Sequence, residues 1–303
     1  MSEYHTPVLL DESVNALITN ISGTYIDATF GGGGHTAGIL SRLSTEGKVI
    51  AFDRDIDALG NRPDDPRLTL VRSDFRFLEN HARLQAWENG SEDWQVDGIL
   101  ADLGVSSHQF DTADRGFSFR YDAPLDMRMN TEAPTTAADV VNNYATEDLE
   151  RILRVYGEVE NAGKAARLIA SARPISTTAQ LDEALQKATP SYAAHKWLAK
   201  VYQALRIEVN HEMRSLEKML EGAIRTLKPG GRLVVITYHS LEDRMVKNFI
   251  RSGNAEGREE KDMYGRLLSP LKAFSKKPIL PSESEIASNT RARSAKLRIA
   301  EKI

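Results

Sequence analysis

A run of four glycines follows a short β-branched segment and precedes a helical pattern. The glycines are residues 31–34, and the strand-like segment covers residues 25–29. A backbone without Cβ atoms can come close to a ligand, and the N–H groups that open a helix attract negative charge. Residues 32–37 also fit the Gly-x-Gly-x-x-Ala fingerprint of dinucleotide-binding folds. The loop therefore predicts a nucleotide-like ligand and leaves an NAD-dependent oxidoreductase open.

Acidic side chains stand at the ends of the strand-like segments in the first third of the chain. They are Asp27, Asp53, Asp74 and Asp102. Ligands of open α/β sheets bind at the carboxyl ends of the strands. Acids at that edge repel a pyrophosphate but attract S-adenosylmethionine, which carries an ammonium and a sulfonium group. Because of this charge preference, the four acids together favour S-adenosylmethionine over NAD. Asp53 also stands where an acid can hold two ribose hydroxyls.

The lack of cysteine removes several chemistries. With 0 Cys in 303 residues, the chain has no disulfide, no thiolate zinc site and no cysteine nucleophile. The 7 His show no spacing typical of metal ligands, so we expect no metal site.

Composition places the chain among ordinary globular proteins, at 41% hydrophobic and 27% charged residues. We find neither a membrane-length apolar run nor an N-terminal leader, and expect a cytoplasmic protein without a membrane partner. The net charge is −4, and the charges are unevenly distributed along the chain. From Arg244 onward there are 14 basic and 7 acidic residues, whereas the preceding part has 25 basic and 36 acidic residues. A basic C-terminal face and an ordinary charged surface both fit this pattern.

Short β-branched runs alternate with amphipathic helical patterns in the first third, as in parallel strands joined by crossover helices. The predicted strands cover residues 25–29, 48–53, 68–72 and 96–102. A fifth strand, residues 232–238, follows a turn predicted at residues 228–231. The pattern predicts an α/β fold with a Rossmann-like, doubly wound sheet.

Helical periodicity replaces the strand pattern after the fourth strand. Leu149, Ile152 and Leu153 share one helix face, and Thr177 with Gln180 resembles a capping box. We predict an all-helical insertion domain at residues 122–206, between two parts of one α/β domain at 1–121 and 207–303. Residues 278–290 read as a loop.

Seven motifs, in order along the chain, resemble those of a known family. They are DATFGGGGHT from Asp27, DLGVSS from Asp102, RGFSF from Arg115, PLDMRM from Pro124, QALRIEVN from Gln203, HSLEDR from His239 and RARSAKLR from Arg291. On these motifs the chain is identified as a member of the RsmH (formerly MraW) family, which methylates the exocyclic N4 of a cytidine in the P-site region of 16S rRNA. The resemblance implies a class I methyltransferase fold, S-adenosylmethionine as cofactor, and 16S rRNA within the small ribosomal subunit as partner.

The resemblance also implies which residues contact the cofactor: Gly33, Gly34, His35, Asp53, Phe75, Asp102 and Gln109. We expect Asp102 to be catalytic, because it can accept a hydrogen bond from the cytosine amine as charge develops. His35 is expected to shape the glycine loop. Methylation at C5 of a pyrimidine ordinarily needs a thiolate, which this chain lacks, whereas N4 needs no covalent adduct.

Two further groups are candidates on the substrate side. His239 ends the fifth strand and could act as a general base or could fix the following helix by a hydrogen bond. A cation and two aromatic rings lie close together in the sequence at Arg115, Phe117 and Phe119. This mixture suits binding of single-stranded RNA, and the alternative for the two rings is core packing. The basic tail also suits RNA and consists of Arg291, Arg293, Lys296 and Arg298.

We therefore predict an S-adenosylmethionine-dependent rRNA cytosine-N4 methyltransferase. The alternatives are a ribosome-assembly factor that keeps the cofactor fold without turnover and the NAD-dependent oxidoreductase. Homodimerisation stays open.

Overall fold

The computed structural model describes residues 7–303, with the side chain of Ser107 left aside. The chain forms two compact units. One contains residues up to Gly104 together with Met213–Ile303, and the other is Val105–Glu212. Within residues 7–303, every helix falls short of the length and apolarity that crossing a lipid bilayer demands.

Strands and helices alternate in the first unit, whereas the second unit contains helices without strands between them. The strands are β1 (Thr24–Asp27), β2 (Lys48–Asp53), β3 (Leu68–Arg72), β4 (Val96–Asp102), β5 (Leu227–Thr237), β6 (Leu271–Ala273) and β7 (Lys296–Lys302). The helices are α1 (Leu10–Leu17), α2 (Gly34–Leu40), α3 (Ile56–Leu59), α4 (Leu78–Glu88), α5 (Ser107–Asp111), α6 (Ala137–Asn143), α7 (Thr146–Gly157), α8 (Ala162–Ser171), α9 (Thr178–Leu185), α10 (Ala194–Asn210), α11 (Glu212–Thr226), α12 (Ser240–Ser252) and α13 (Glu283–Ser288). Short 3-10 helices cover Phe75–Phe77, Ala113–Arg115 and Thr290–Ser294.

The first unit is built on a seven-stranded sheet in the order β3-β2-β1-β4-β5-β7-β6. The pairs among β1 to β5 are parallel, whereas β7 runs antiparallel to both β5 and β6. Strand order reverses between β1 and β4, which is where open α/β sheets bind ligands. This topology confirms the predicted class I methyltransferase fold.

The sheet is buried on both faces because its central strands are almost wholly apolar. Successive side chains of a strand point to opposite faces. Accordingly Tyr25 and Ile26 of β1 belong to different cores, as do Ile99 and Leu100 of β4. Two apolar layers hold the sheet rigidly, and the polar residues that follow the strands are thereby fixed at its carboxyl edge.

The predicted bounds of the second, third and fourth strands are confirmed, and β1 ends two residues early, at Asp27. The turn predicted at 228–231 is instead part of β5, where Leu227 pairs with Val96 and Arg232 already pairs with Gly98. The extra residues form a bulge, in which Gly230 has φ +80°. Residues 278–290, predicted as a loop, contain α13.

The second unit is helical, and its core is formed by α6 to α10. Thr177 caps α9 through the predicted capping box with Gln180. Phe117, Leu125 and Met127 precede the first long helix but are buried in this same core. The compact unit therefore begins at Val105 rather than at 122, and it ends at Glu212 rather than at 206. The division into three domain segments with their own roles stays a prediction.

Candidate functional site

The glycine loop between β1 and α2 has a backbone that only glycine adopts easily. Gly31 has φ +52° and Gly33 φ +77°. A Cβ on Gly33 would lie 3.0 Å from the ring of Phe30, and one on Gly34 would lie 2.2 Å from Cγ of Pro7. The loop is packed against its own neighbours, so a side chain at either position would displace it.

Asp53, at the end of β2, holds this loop in place. Its Oδ2 accepts a hydrogen bond from the Gly31 amide at 2.8 Å, and its Oδ1 accepts one from the Asp55 amide at 2.8 Å. Burial raises the pKa of Asp53 to about 6, against the lowering effect of these bonds. A carboxylate has about four acceptor positions, so Asp53 can still accept bonds from two ribose hydroxyls.

Asp27, at the end of β1, faces inward. Its side chain is buried and accepts hydrogen bonds from the Thr36 hydroxyl at 2.6 Å and the Thr29 amide at 3.1 Å. Burial raises the pKa of Asp27 above its usual value. Asp27 therefore ties β1 to α2.

Asp102, at the end of β4, is fixed by three neighbours. Its amide donates to the Thr29 hydroxyl at 2.7 Å, and its Oδ1 accepts a hydrogen bond from the Tyr238 hydroxyl at 2.7 Å. Its Oδ2 lies 3.7 Å from Nδ1 of His35, and 23% of its side chain is exposed. Chiefly through burial, the pKa of Asp102 rises to about 6. Asp102 is thus a partly exposed carboxylate in a fixed orientation.

His35 is buried beside the glycine loop. Its Nε2 lies 3.1 Å from the carbonyl oxygen of Val8. Because a carbonyl oxygen can only accept, Nε2 carries a proton. The contacts of His35 fit the expected role in shaping the loop.

Tyr238 is a site residue that the sequence analysis did not select. It follows β5 directly and donates its hydroxyl proton to Asp102 on the neighbouring strand. Burial and the charge of Asp102 raise the pKa of Tyr238 well above its usual value, so the hydroxyl stays a donor. Its position next to His239, at the end of a predicted strand, was the available signal.

The 3-10 helix after β3 carries Phe75, which is half-buried against the core. Asp74, just before it, accepts hydrogen bonds from the Arg76 amide and the Ser215 hydroxyl. Arg54 also lies 3.5 Å from this carboxylate. Asp74 therefore holds the turn after β3 in place. Phe75 is the residue of this turn whose ring offers an apolar surface.

His239 opens α12 as its N-cap. Its Nδ1 accepts a hydrogen bond from the Glu242 amide at 3.5 Å, and its Nε2 lies 3.1 Å from Glu242 Oε1. In return Glu242 accepts bonds from the amides of Tyr238 and His239. The structure thus contains the hydrogen bond by which His239 fixes the following helix, as the second alternative expected. A general-base role for His239 stays a prediction.

The predicted basic tail divides into two parts. Lys296 and Arg298 lie on β7, and both contact Asp243, at 3.4 Å and 2.6 Å. Arg291 and Arg293 lie on the preceding 3-10 helix, where Arg293 is exposed. The RNA contact predicted for these four residues is untested, but two of them already neutralise a carboxylate.

The remaining predicted site residues belong to the helical unit. Gln109 is buried and closes a capping box with Ser106. Arg115 donates to the carbonyl oxygens of Arg128 and Met129, both at 3.0 Å.

The two aromatic candidates of this unit also pack internally. Phe117 is buried in the helical core, and the ring of Phe119 meets that of Tyr202 edge-on at 5.3 Å. The core-packing alternative is therefore present for both rings. The cofactor contact of Gln109 and the RNA contacts of Arg115, Phe117 and Phe119 stay predictions.

Comparison with known proteins identifies the family. The model of the MraW methylase family matches residues 2–303. A ribosomal RNA small subunit methyltransferase H of Parabacteroides distasonis is 53% identical, covering 99% of this chain and 98% of that protein. The protein of the same name from Bacteroides thetaiotaomicron is 54% identical over 99% of this chain and 97% of its own length. Since the family model spans almost the entire chain, and the glycine loop and strand-end acids lie within it, this chain belongs to the MraW methylase family.

Proposed function

We propose that this protein transfers a methyl group from S-adenosylmethionine to the exocyclic N4 of a cytidine in the P-site region of 16S rRNA. The observation that carries the proposal is the fixed, partly exposed carboxylate of Asp102 at the switch point of the sheet, beside the glycine loop. The relatives named ribosomal RNA small subunit methyltransferase H support rRNA as the substrate. Such a substrate implies the small ribosomal subunit as partner and the cytoplasm as location.

The residues at this edge fit S-adenosylmethionine. The exposed part of Asp102 offers a negative charge to the cationic methionine end, and Asp53 keeps free lone pairs for ribose hydroxyls. Phe75 offers an apolar face to adenine, and Gly33, at φ +77°, gives the loop a backbone turn that a side chain would displace. When bound, S-adenosylmethionine supplies a methyl group made electrophilic by the sulfonium.

The chemistry required of the protein is orientation and charge stabilisation. The lone pair of the cytosine amine is delocalised into the ring, so the amine must be held in line and must donate a hydrogen bond as it gains positive charge. Asp102 can accept that bond, because Tyr238 occupies only Oδ1 and fixes the carboxylate plane. The lack of cysteine supports N4 over C5, since C5 methylation ordinarily proceeds through a thiolate adduct.

Methylation of small-subunit particles from cells that lack the enzyme tests the proposal. We expect transfer of labelled methyl groups and N4-methylcytidine in the nucleoside digest. We expect Asp102→Ala to remain folded and to lose turnover. A different methylated nucleoside, or a fully active Asp102→Ala variant, would contradict the assignment.

Calorimetry separates the alternatives. Binding of S-adenosylmethionine without turnover on any small-subunit particle would favour the assembly factor. Stabilisation by NAD but not by S-adenosylmethionine would favour the oxidoreductase, because a ligand that binds only the native state raises its stability.

A further inference from the structure

The segment from β6 towards α13 forms an exposed basic and apolar strip along the outer edge of the sheet. We define this edge strip as residues 271–280, which include three lysines and no acid. Lys272, Lys276 and Lys277 are exposed, as are Phe274 and Leu280. Such a mixture at one edge is typical of surfaces that bind single-stranded nucleic acid.

The edge strip is held at both ends. The Phe274 amide donates to the carbonyl oxygen of Ile299 at 3.0 Å, and the Ile279 amide donates to that of Leu297 at 2.9 Å. Between these two bonds, residues 275–278 stand opposite a single β7 residue, Arg298, so they bulge away from the edge. The lysine pair lies in that bulge on an anchored backbone, which limits the entropy lost on binding.

The lysines of the strip carry uncompensated charge. Among residues 7–303, no carboxylate lies within 4.0 Å of the ammonium groups of Lys272, Lys276 and Lys277. Glu301 stands opposite Lys272 in the register, but its carboxylate lies 3.1 Å from Arg232. The strip therefore differs from the basic tail, where Asp243 compensates Lys296 and Arg298.

Phe274 supplies a surface for stacking. Its side chain is 55% exposed, and the guanidinium of Arg232 lies 4.0 Å from the ring centroid. An aromatic ring with a cation behind it suits a nucleic-acid base, because each base has a π-face and stacking needs no particular sequence.

The strand pairing of the sheet gives the distance between the edge strip and Asp102. Asp102 pairs with Ile236, Ile236 pairs with Leu297, and Leu297 pairs with Ile279. Three spacings between neighbouring strands put Ile279 about 14 Å from Asp102. The carboxyl end of the strip thus lies at the same edge of the sheet as Asp102. The distance between them is shorter than the stretch of RNA that a single-strand binding site covers.

We propose that the edge strip binds single-stranded RNA that flanks the target nucleotide, with phosphates on Lys276 and Lys277 and a base on Phe274. The proposal rests on the proposed rRNA methyltransferase function. It assigns the electrostatic part of substrate binding to the strip rather than to the β7 part of the basic tail.

The test is the salt dependence of binding to a fluorescently labelled single-stranded RNA that carries the substrate cytidine and its flanking sequence. Each phosphate contact contributes about 0.7 to the slope of log affinity against log salt concentration for single strands. We expect Lys276→Ala with Lys277→Ala to make the slope shallower by about 1.4. The matched control, Lys48→Ala with Lys218→Ala, removes the same charge from the start of β2 and from α11 and should leave the slope unchanged.

Phe274→Ala gives an independent readout. We expect it to weaken RNA binding by between about 5-fold and about 150-fold at an unchanged salt slope, because stacking displaces no counterion. An unchanged slope in the lysine variant, or an equal loss in the control, would overturn the proposal. Calorimetry and methylation with the wild-type protein keep the two proposals apart. If the wild type binds donor and methylates while the lysine variant keeps its slope, the strip proposal alone fails.

Discussion

The pH dependence of donor binding is the sharpest prediction of the site. The pKa of Asp102 is raised to about 6, chiefly by burial. If only the ionised carboxylate attracts the cationic donor, the competent fraction falls from about 0.9 at pH 7 to about 0.1 at pH 5. We therefore expect the affinity for S-adenosylmethionine to fall about tenfold between pH 7 and pH 5.

Tyr238→Phe should move this transition. The hydroxyl of Tyr238 donates to the ionised form of Asp102 at 2.7 Å, and a hydrogen bond to a charged group contributes about 1.5–3 kcal/mol. Since one pKa unit corresponds to about 1.4 kcal/mol, the loss of that bond raises the midpoint by roughly one to two units. At pH 7 the variant should then bind the donor about 2- to 10-fold more weakly than wild type, and at pH 5, where the carboxyl group is mostly protonated in both proteins, the difference should widen to about 10- to 90-fold.

The assay is titration calorimetry with S-adenosylmethionine from pH 5 to pH 9. Tyr25→Phe is the matched control, because its hydroxyl donates to the Asn20 carbonyl oxygen, away from Asp102. Asp53, whose pKa is also raised to about 6, titrates in the same range. The shift caused by Tyr238→Phe separates the two acids, since Tyr238 bonds Asp102. A flat affinity between pH 5 and pH 7, or an unmoved midpoint in Tyr238→Phe, would refute the reasoning.

Three further predictions concern the supports of the site. Thr36→Val removes the 2.6 Å hydrogen bond to the buried carboxylate of Asp27 and should lower the free energy of unfolding in urea by about 2 kcal/mol, whereas Thr36→Ser should retain most of it. The folded-state pKa of Asp102 lies above its unfolded value of 3.8, so its ionisation disfavours folding as the pH rises through about 6. Asp102→Asn should therefore gain stability relative to wild type between pH 4 and pH 7, by up to about 3 kcal/mol, and a pH-independent difference in urea denaturation would contradict this. Gly33→Ala should abolish donor binding, because φ is +77° and the new Cβ meets Phe30, while Gly90→Ala, at φ +68° with open space around it, should bind the donor normally in calorimetry.

The sheet was predictable because its strands are short, apolar and bounded by turns. The bounds of β2, β3 and β4 follow from runs of mostly apolar or β-branched residues that end at an acid or an arginine. β7 was not predicted, because its lysines and arginine suggested a basic surface, although residues 296–299 alternate basic and apolar side chains as a half-buried strand does. Its charged residues are accommodated because Asp243 on α12 compensates two of them. That pairing joins residues more than fifty positions apart, so no local pattern reveals it.

The sequence alone determined the α/β class, the helical region in its middle, the glycine loop and the acids at the ends of the first four strands. These depend on periodicity and residue type within a few neighbouring positions, which a single chain displays directly. Only the tertiary structure decided which acids face a ligand. Asp27 is enclosed by Thr36 and Thr29, while Asp102 is held partly exposed between Tyr238 and His35. The four acids look alike in the sequence, and they differ in the fold because burial and hydrogen-bond partners come from segments far apart along the chain.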